Sequence, residues 1–553
     1  MGSRVGAERR CGGSGGEGDE AEARVRPDPR ETTVTTLPVG YESYWMLSAA
    51  RSPYPALLPG ESIEADVAVV GGGVAGLSVA WELARAGCSV VVLEADRIAA
   101  GVTGHTSGKL SALHGLDYSR IAASRGLESA RLYAASQRGA VEHLAAIVAE
   151  LGIECELERV PAYTYVESEH HVDEVRAEAD AARAAGLPAS FTTDVRLPFP
   201  VRGAVRVEDQ AQFHPRKYLL ALADDLVARG GLIRERTRVL DLDDSGGPVL
   251  LTTECGAEVR AADVVVATHY PVFDGGFLSS RLTPRRELVL SALLPAEEDP
   301  QGTYTTPERG TRTVQTAPYP FTPGKRLLVV TGERFLPGIR GIGTVSARYE
   351  RLAAWTYERF PSARLAHRWA TQDIETTEGL PYIGRFHPAS PHSYLATGFG
   401  GWGMSGGVLA GQLLAAHVLG EELPGWAGLY DPGPRAGDAP AMLRRKSAVA
   451  RSYVGDRLRP SYVDSVAEVA PGTGAIVRIG GRRCAVHRTP EGELRALSPR
   501  CTHLGCLVRF NDAESAWECP CHGSRFGTGG EVLQGPATRP LERRDLGEEP
   551  EGE

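Results

Sequence analysis

Cys501-Thr-His-Leu-Gly-Cys506 and Cys519-Pro-Cys-His-Gly-Ser524 constrain the chain more than any other stretch. Each short loop offers one thiolate and one imidazole: Cys501 with His503, and Cys519 with His522. Any fold must bring these loops, 12 residues apart, around a common metal centre. Four of the nine cysteines (Cys501, Cys506, Cys519 and Cys521) crowd into 21 positions here. The other five are scattered and read as small buried hydrophobes. Two thiolates on one iron and two imidazoles on another form a mixed iron–sulfur ligand set. Neutral imidazoles in place of thiolates remove negative charge, so such a centre accepts an electron more readily than an all-cysteine one. A structural Cys2His2 zinc site is the alternative, and it leaves Cys506 and Cys521 without a task. Around the loops, residues 466–541 consist of short strands and turns, the pattern of a small all-β domain.

At 553 residues the chain exceeds one ordinary domain. Residues 1–40 are rich in Gly, Glu and Arg and lack an apolar core, so a disordered tail without a secretory signal is expected there. A Pro-, Gly- and Ala-rich linker is placed at 431–457, dividing a body at 41–430 from the all-β tail at 458–545. A net charge of −10 without a basic cluster argues against nucleic acid as a partner. No window approaches 18 apolar residues; the longest, 408–419, carries Gln412 and His417 and reads as a buried helix, with no transmembrane segment. A cytoplasmic location is expected.

In the body, Asp66-Val-Ala-Val-Val70 predicts a buried strand, residues 74–86 a helix and 89–93 a second strand, together a βαβ unit. Gly71-Gly-Gly-Val-Ala-Gly76 sits at its first turn. Gly71 makes the tight turn, Gly73 lets the backbone approach a pyrophosphate, and Gly76 permits close helix–strand packing. The helix N-terminus, with Gly72 and Ala75, supplies N–H groups for the phosphates. Glu94 ends the second strand, 18 residues beyond Gly76, where a carboxylate binds ribose hydroxyls. A second glycine-rich segment, Thr397-Gly-Phe-Gly-Gly-Trp-Gly-Met-Ser-Gly-Gly407, precedes a helix and fits a chain that folds back onto the same nucleotide. Elsewhere residues 120–185 read as mostly helical, 215–229 and 345–359 as helices, 263–267 as a buried strand and 281–335 as β-rich.

These pieces, with Leu93-Glu-Ala95, Gly104-His-Thr-Ser-Gly-Lys109, Val264-Val-Val-Ala-Thr268 and Gly379-Leu-Pro-Tyr-Ile-Gly384, resemble the D-amino-acid-oxidase-like flavoproteins (glycine oxidase, sarcosine oxidase and relatives) over residues 62–425. The resemblance implies FAD, held by an α/β Rossmann-like domain, and an inserted α+β substrate domain. The nucleotide part is placed at about 62–118, 200–280 and 371–425. It implies that residues 101–109, with His105, Thr106 and Lys109, run beside the flavin, and that His105 contacts or is bonded to it. Gly384, Gly398, Gly400, Gly401 and Met404 are expected on the opposite side, where backbone N–H groups reach the N1/O2 edge.

The tail resembles Rieske 2Fe–2S proteins over residues 458–545. That resemblance implies Cys501, His503, Cys519 and His522 as iron ligands and a Cys506–Cys521 disulfide between the loops. It also places the Ser524 hydroxyl near a cluster sulfide and Pro536 in a loop covering the cluster. Phe526 departs from the tyrosine of high-potential members, which predicts a lower potential. A disulfide in a cytoplasmic protein is a tension that the residues leave open.

The whole chain is similar to bacterial FAD-dependent oxidoreductases with a C-terminal Rieske domain. The expectation is an enzyme that dehydrogenates a small molecule, an amine or amino-acid-like, at FAD. Electrons would pass singly to the cluster and on to an external acceptor, a redox protein or quinone. The alternatives are a relay between protein redox partners without a substrate of its own, and a redox sensor. Candidates for catalysis are His105, Tyr382, Arg385 and Trp402, with His114 and His214 also considered. Arg385, Arg285 or Arg286 is expected to pair with a substrate carboxylate.

Overall fold

The computed structural model describes residues 37–38, 40–273, 278–308, 310–338, 344–387, 390–433, 463 and 465–545. Nearly all of the expected tail, and the expected linker from residue 434 onward, lie outside them. Leu37 and Tyr41, at the start of the described chain, pack against an apolar cluster of the body.

The first sheet of the body is built on Ser62–Val70. It pairs in parallel with Val90–Leu93 on one side and Glu258–Val266 on the other. Leu232–Arg234 extends one edge, and Ser390–Thr397 followed by Tyr382–His387 extends the other. Val67, Ala68, Val69 and Val70 are all buried, as a strand covered on both faces requires. One cover is the helix Val74–Arg85, which packs closely on Gly403–Leu419. Glycines set that approach: a Cβ at Gly407 would lie 2.7 Å from Val74 Cγ1, and one at Gly411 2.7 Å from Ser78 Cβ. The apolar run at 408–419 is therefore a core helix. Among the described residues no helix is long and apolar enough to cross a membrane.

A second, nine-stranded sheet forms the other half of the body. Its order is Arg364–Thr376, Leu282–Pro295, Lys325–Phe335, Arg312–Pro318, Thr303–Thr306, Glu158–Val166, Gly203–Gln212 and Lys109–Leu110, with Ala189–Thr192 beside Gly203–Gln212. The stretch 120–185 is mostly helical, as expected, but Gly152, with φ +61°, caps the helix Leu127–Leu151, and within the stretch Glu158–Val166 is a strand. Its run of Val, Thr and Tyr favours a pleated, half-buried surface. Gly203–Gln212 and residues 371–376, read as nucleotide-binding, run in this second sheet instead.

The C-terminal part has two small antiparallel sheets, Gly474–Ile479 with Arg482–Arg488 and Leu494–Leu497, and Arg509–Asn511 with Ala516–Glu518, Arg525–Gly527 and Val532–Gln534. It docks on the body through buried charges. Arg286 donates to Glu518 at 2.8 Å and Glu514 at 2.6 Å, and Arg525 donates to Glu514 at 2.6 Å. Asp512 caps the helix Val345–Arg359, accepting from the Val345 N–H at 2.8 Å. Arg286 thus serves the domain contact and is not available to a substrate carboxylate.

Candidate functional site

Gly71, with φ +111°, closes the first βα turn; a Cβ there would stand 2.5 Å from the Ala267 carbonyl oxygen. A Cβ at Gly76 would sit 1.9 Å from the Gly71 carbonyl oxygen, so helix and turn approach as only glycine allows. Glu94 is tied to this turn: its carboxylate accepts from the Gly72 N–H at 2.7 Å and the Asp96 N–H at 2.8 Å. Burial nonetheless pushes its pKa up. The turn opens onto a cavity of about 1280 Å³.

Most of the expected cofactor residues meet on this cavity. Gly71, Gly72, Gly73, Ala75 and Glu94 line one end, and His105, Thr106, Lys109, Gly398, Gly400, Gly401 and Met404 line the remainder. Gly398, Gly400 and Gly401 all have positive φ, the conformation that lets the backbone turn at the wall. The Nδ1 of His105 lies 3.0 Å and 2.8 Å from the carbonyl oxygens of Ala100 and Gly101. Two carbonyl partners require Nδ1 to be the protonated nitrogen, which leaves Nε2 as the basic one. Burial also lowers the His105 pKa, favouring the neutral ring. Trp402 stacks on His114, with centroids 4.2 Å apart, and carries the Lys109 ammonium 4.6 Å from its own ring centre.

Five expected residues do not join them. Tyr382 is buried beneath the Arg281 guanidinium, 4.3 Å from its ring, and donates to Glu378 at 2.7 Å. Gly384 and Arg385 line a separate pocket of about 410 Å³ with His417 and Pro432. The physical reason is direction: Tyr382–His387 is the antiparallel edge strand of the first sheet and leads away from the cavity. His214 caps the helix Pro215–Ala228 and meets the Ser48 hydroxyl at 3.0 Å. Arg285 is paired with Glu375 at 2.9 Å.

The second sheet supplies groups that sequence reasoning missed: Glu287, Thr305, Thr313, Arg334, Asp373 and Glu375 line the same cavity. The available signal was ionisable side chains at alternate positions of strongly β-type runs, such as Asp373 and Glu375.

In the C-terminal part the two loops meet. The buried thiols of Cys501 and Cys519 act on one another, and the rings of His503 and His522 lie 5.0 Å apart, both Nδ1 atoms being buried. Cys506 and Cys521 form a disulfide with Cα atoms 6.6 Å apart. Cys506, Cys519 and Cys521 also lie within 4.8 Å of one another, but two of these sulfurs are already bonded and cannot ligate. Two thiols and two imidazoles remain, the donor set of a mixed iron–sulfur centre. The Ser524 hydroxyl accepts from the Ala537 N–H at 3.0 Å and reaches the Cys501 thiol; Pro536 is buried beside it. Both sites have the donors their groups need.

The two sites are contiguous. Glu514, Arg525, Gln534 and Gly535 of the C-terminal part line the large cavity. Gln372, also on its wall, donates to the Gly523 carbonyl oxygen at 3.1 Å, next to His522. Tyr270 packs edge-on against His522 and His503, with centroids 5.7 Å and 6.3 Å away.

Comparison with known proteins matches residues 66–417 to the FAD dependent oxidoreductase family and residues 460–544 to the Rieske [2Fe-2S] domain. The Rieske 2Fe-2S iron-sulfur protein YhfW of Bacillus subtilis (strain 168) is 33% identical over 91% of this chain and 98% of its own length. Gamma-glutamylputrescine oxidoreductase of Escherichia coli (strain K12) is 25% identical over 68% of this chain and 89% of its own. The crystal structure of glycine oxidase from Geobacillus kaustophilus shares the fold, with a TM-score of 0.56 at 22% identity, over 68% of this chain and all of that one.

Proposed function

Because the chain belongs to the FAD dependent oxidoreductase family and carries a C-terminal Rieske [2Fe-2S] domain, we propose that it dehydrogenates a small amine or amino-acid-like molecule and passes the electrons singly to an external acceptor. When bound, FAD supplies a two-electron hydride acceptor and the 2Fe–2S cluster a one-electron carrier. The observation that carries this reading is the shared wall: Glu514, Arg525 and Gln534 face the same cavity as the Gly71–Gly73 turn. Gln372 then links that cavity to the loop bearing His522.

In this reading Gly71, Gly72, Gly73, Ala75 and the following helix N-terminus hold the pyrophosphate, and Glu94 the ribose. His105, Thr106, Gly398, Gly400, Gly401 and Met404, which line the same cavity, would hold the flavin ring. Trp402, stacked on His114 and facing Lys109, walls the substrate space. Cys501 and Cys519 hold one iron and His503 and His522 the other, with Ser524 and Pro536 enclosing them. His522 is buried, whereas His503 keeps part of its surface, so the acceptor, a redox protein or quinone, meets the cluster on the His503 side. We place the chain in the cytoplasm, where burial of Cys506 (3% exposed) and Cys521 (1%) shields their disulfide from cellular thiols.

Anaerobic rapid mixing of the loaded protein with a panel of amines and amino acids tests the reading. Bleaching of the flavin band followed by reduction of the cluster is expected. A response only to NAD(P)H or to a reduced ferredoxin would replace the dehydrogenase with a relay.

A further inference from the structure

Charges taken out of water are ordinarily matched by an opposite charge, because the desolvation cost is otherwise uncompensated. The charged side chains that the second sheet presents to the cavity mostly obey this. Arg334 reaches Glu375 at 3.2 Å and Glu287 at 3.5 Å, and Arg285 satisfies Glu375 from the far side at 2.9 Å. Glu287 also accepts from the Thr331 hydroxyl at 3.0 Å. Two groups of the same wall break the pattern.

Lys109 has no carboxylate at ion-pair distance among the described residues. Its ammonium is held by the hydroxyl oxygens of Thr305 at 3.2 Å and Thr313 at 3.3 Å, over the face of Trp402. Asp373 likewise has no cation at that distance among the described residues. Its Oδ1 accepts from the Ile374 N–H at 2.8 Å, and its Oδ2 would stand 3.5 Å from a Cβ at Gly401, beside the turn assigned to the flavin. The cavity thus offers one cation and one anion that no opposite charge meets at ion-pair distance among the described residues. Arg334 acts on Asp373 and Glu287 on Lys109 only at longer range, and the two groups lie within electrostatic reach of each other.

Resting on the proposed function, we infer that the substrate is an amino acid bound as a zwitterion, its carboxylate on Lys109 and the Thr305 and Thr313 hydroxyls, its ammonium on Asp373. The Thr305 and Thr313 hydroxyls accept from Lys109 through lone pairs, so their own protons serve as further donors to the carboxylate. Asp373 then takes one N–H proton: that N–H bond breaks, an O–H bond forms on the carboxylate, and the substrate is left with the neutral amine from which a hydride can depart. Burial supports this chemistry, raising Asp373 to about 7, suited to a base near neutral pH, and lowering Lys109 to about 8, still cationic there. A diamine fits poorly, because its second cation would face the Lys109 ammonium.

Acetate and ammonium serve as half-substrates, each titrated into the oxidised, FAD- and cluster-loaded protein while the flavin absorption band is followed. Acetate is expected to bind at least tenfold more weakly to Lys109→Met and within about threefold of wild type to Lys109→Arg. Ammonium is expected to bind at least tenfold more weakly to Asp373→Asn, with acetate binding undiminished. Equal acetate affinity in Lys109→Met and wild type, or equal ammonium affinity in Asp373→Asn and wild type, would overturn the assignment. Should Lys109→Met fail to fold, the Asp373→Asn protein provides a second measurement. There Lys109 faces only Glu287 and Arg334, already joined to each other. With the Asp373 charge, which raises the Lys109 pKa, removed, acetate affinity must fall as pH rises toward about 8. A flat profile would equally overturn it. Neither probe is oxidised, so these titrations are independent of whether an amino acid is turned over.

Discussion

Phe526 is fully buried against the C-terminal core and offers no hydroxyl to the cluster cysteines. Introducing one by Phe526→Tyr adds a donor to a thiolate ligand and stabilises the reduced, more negative centre. One hydrogen bond of about 1 kcal/mol corresponds to roughly 40 mV for a one-electron couple. Redox titration should find the midpoint raised by about that amount, and an unchanged midpoint removes the explanation offered for Phe526. Glu94 permits a second test at this scale. Glu94→Ala leaves the Gly72 and Asp96 N–H groups without their acceptor and removes the proposed ribose partner. Flavin release followed by fluorescence should show FAD held at least tenfold more weakly.

Among the elements, the helix Pro215–Ala228 is poised to respond to acid. His214, its cap, accepts from the Lys217 N–H through Nδ1 at 3.2 Å, a bond the imidazolium cannot make. Burial lowers the His214 pKa to about 3. The unfolded chain takes up the proton near pH 6.5 and the folded chain resists it, so stability falls as pH drops from 6.5 toward 3. His214→Asn keeps a cap and removes the titration. Thermal melts should show a lower Tm at pH 7, from the lost ring packing, but a shallower decline between pH 6 and 4.

The elements also show what could be read from residues alone. The first βα turn, the helix at 345–359 and the cluster loops are legible because φ > 0, helical periodicity and ligand chemistry each demand particular residue types at short, fixed spacing. Tyr382, Gly384 and Arg385 misled because closeness in sequence to a glycine-rich motif carries no direction, and an antiparallel edge strand took them elsewhere. Lys109 and Asp373 lie on strands at opposite ends of the nine-stranded sheet's order and reach one cavity only through the folding of that whole sheet. Nothing within a short window encodes that order.

At the scale of the whole molecule, the contact between body and cluster domain is a buried set of two arginines and two glutamates. Arg286→Met would leave Glu514 and Glu518 sharing Arg525 alone, a loss of about 3–5 kcal/mol. Limited proteolysis and thermal melts should report a loosened C-terminal part. The double variant Arg286→Met with Glu514→Gln restores charge balance and should recover much of that loss, giving a coupling energy well above the roughly 0.5 kcal/mol of independent sites.

The placement of Gln534 and Gly535 on the wall of the dinucleotide cavity has a consequence for biogenesis. A ribosome releases that wall last, after the rest of the pocket has emerged. We predict that flavin loading and iron–sulfur delivery are coupled, since Gln534 and Gly535 of the cluster-bearing part complete the wall of the flavin pocket. Cells starved of iron should accumulate this protein with less bound flavin, although nothing in flavin supply has changed.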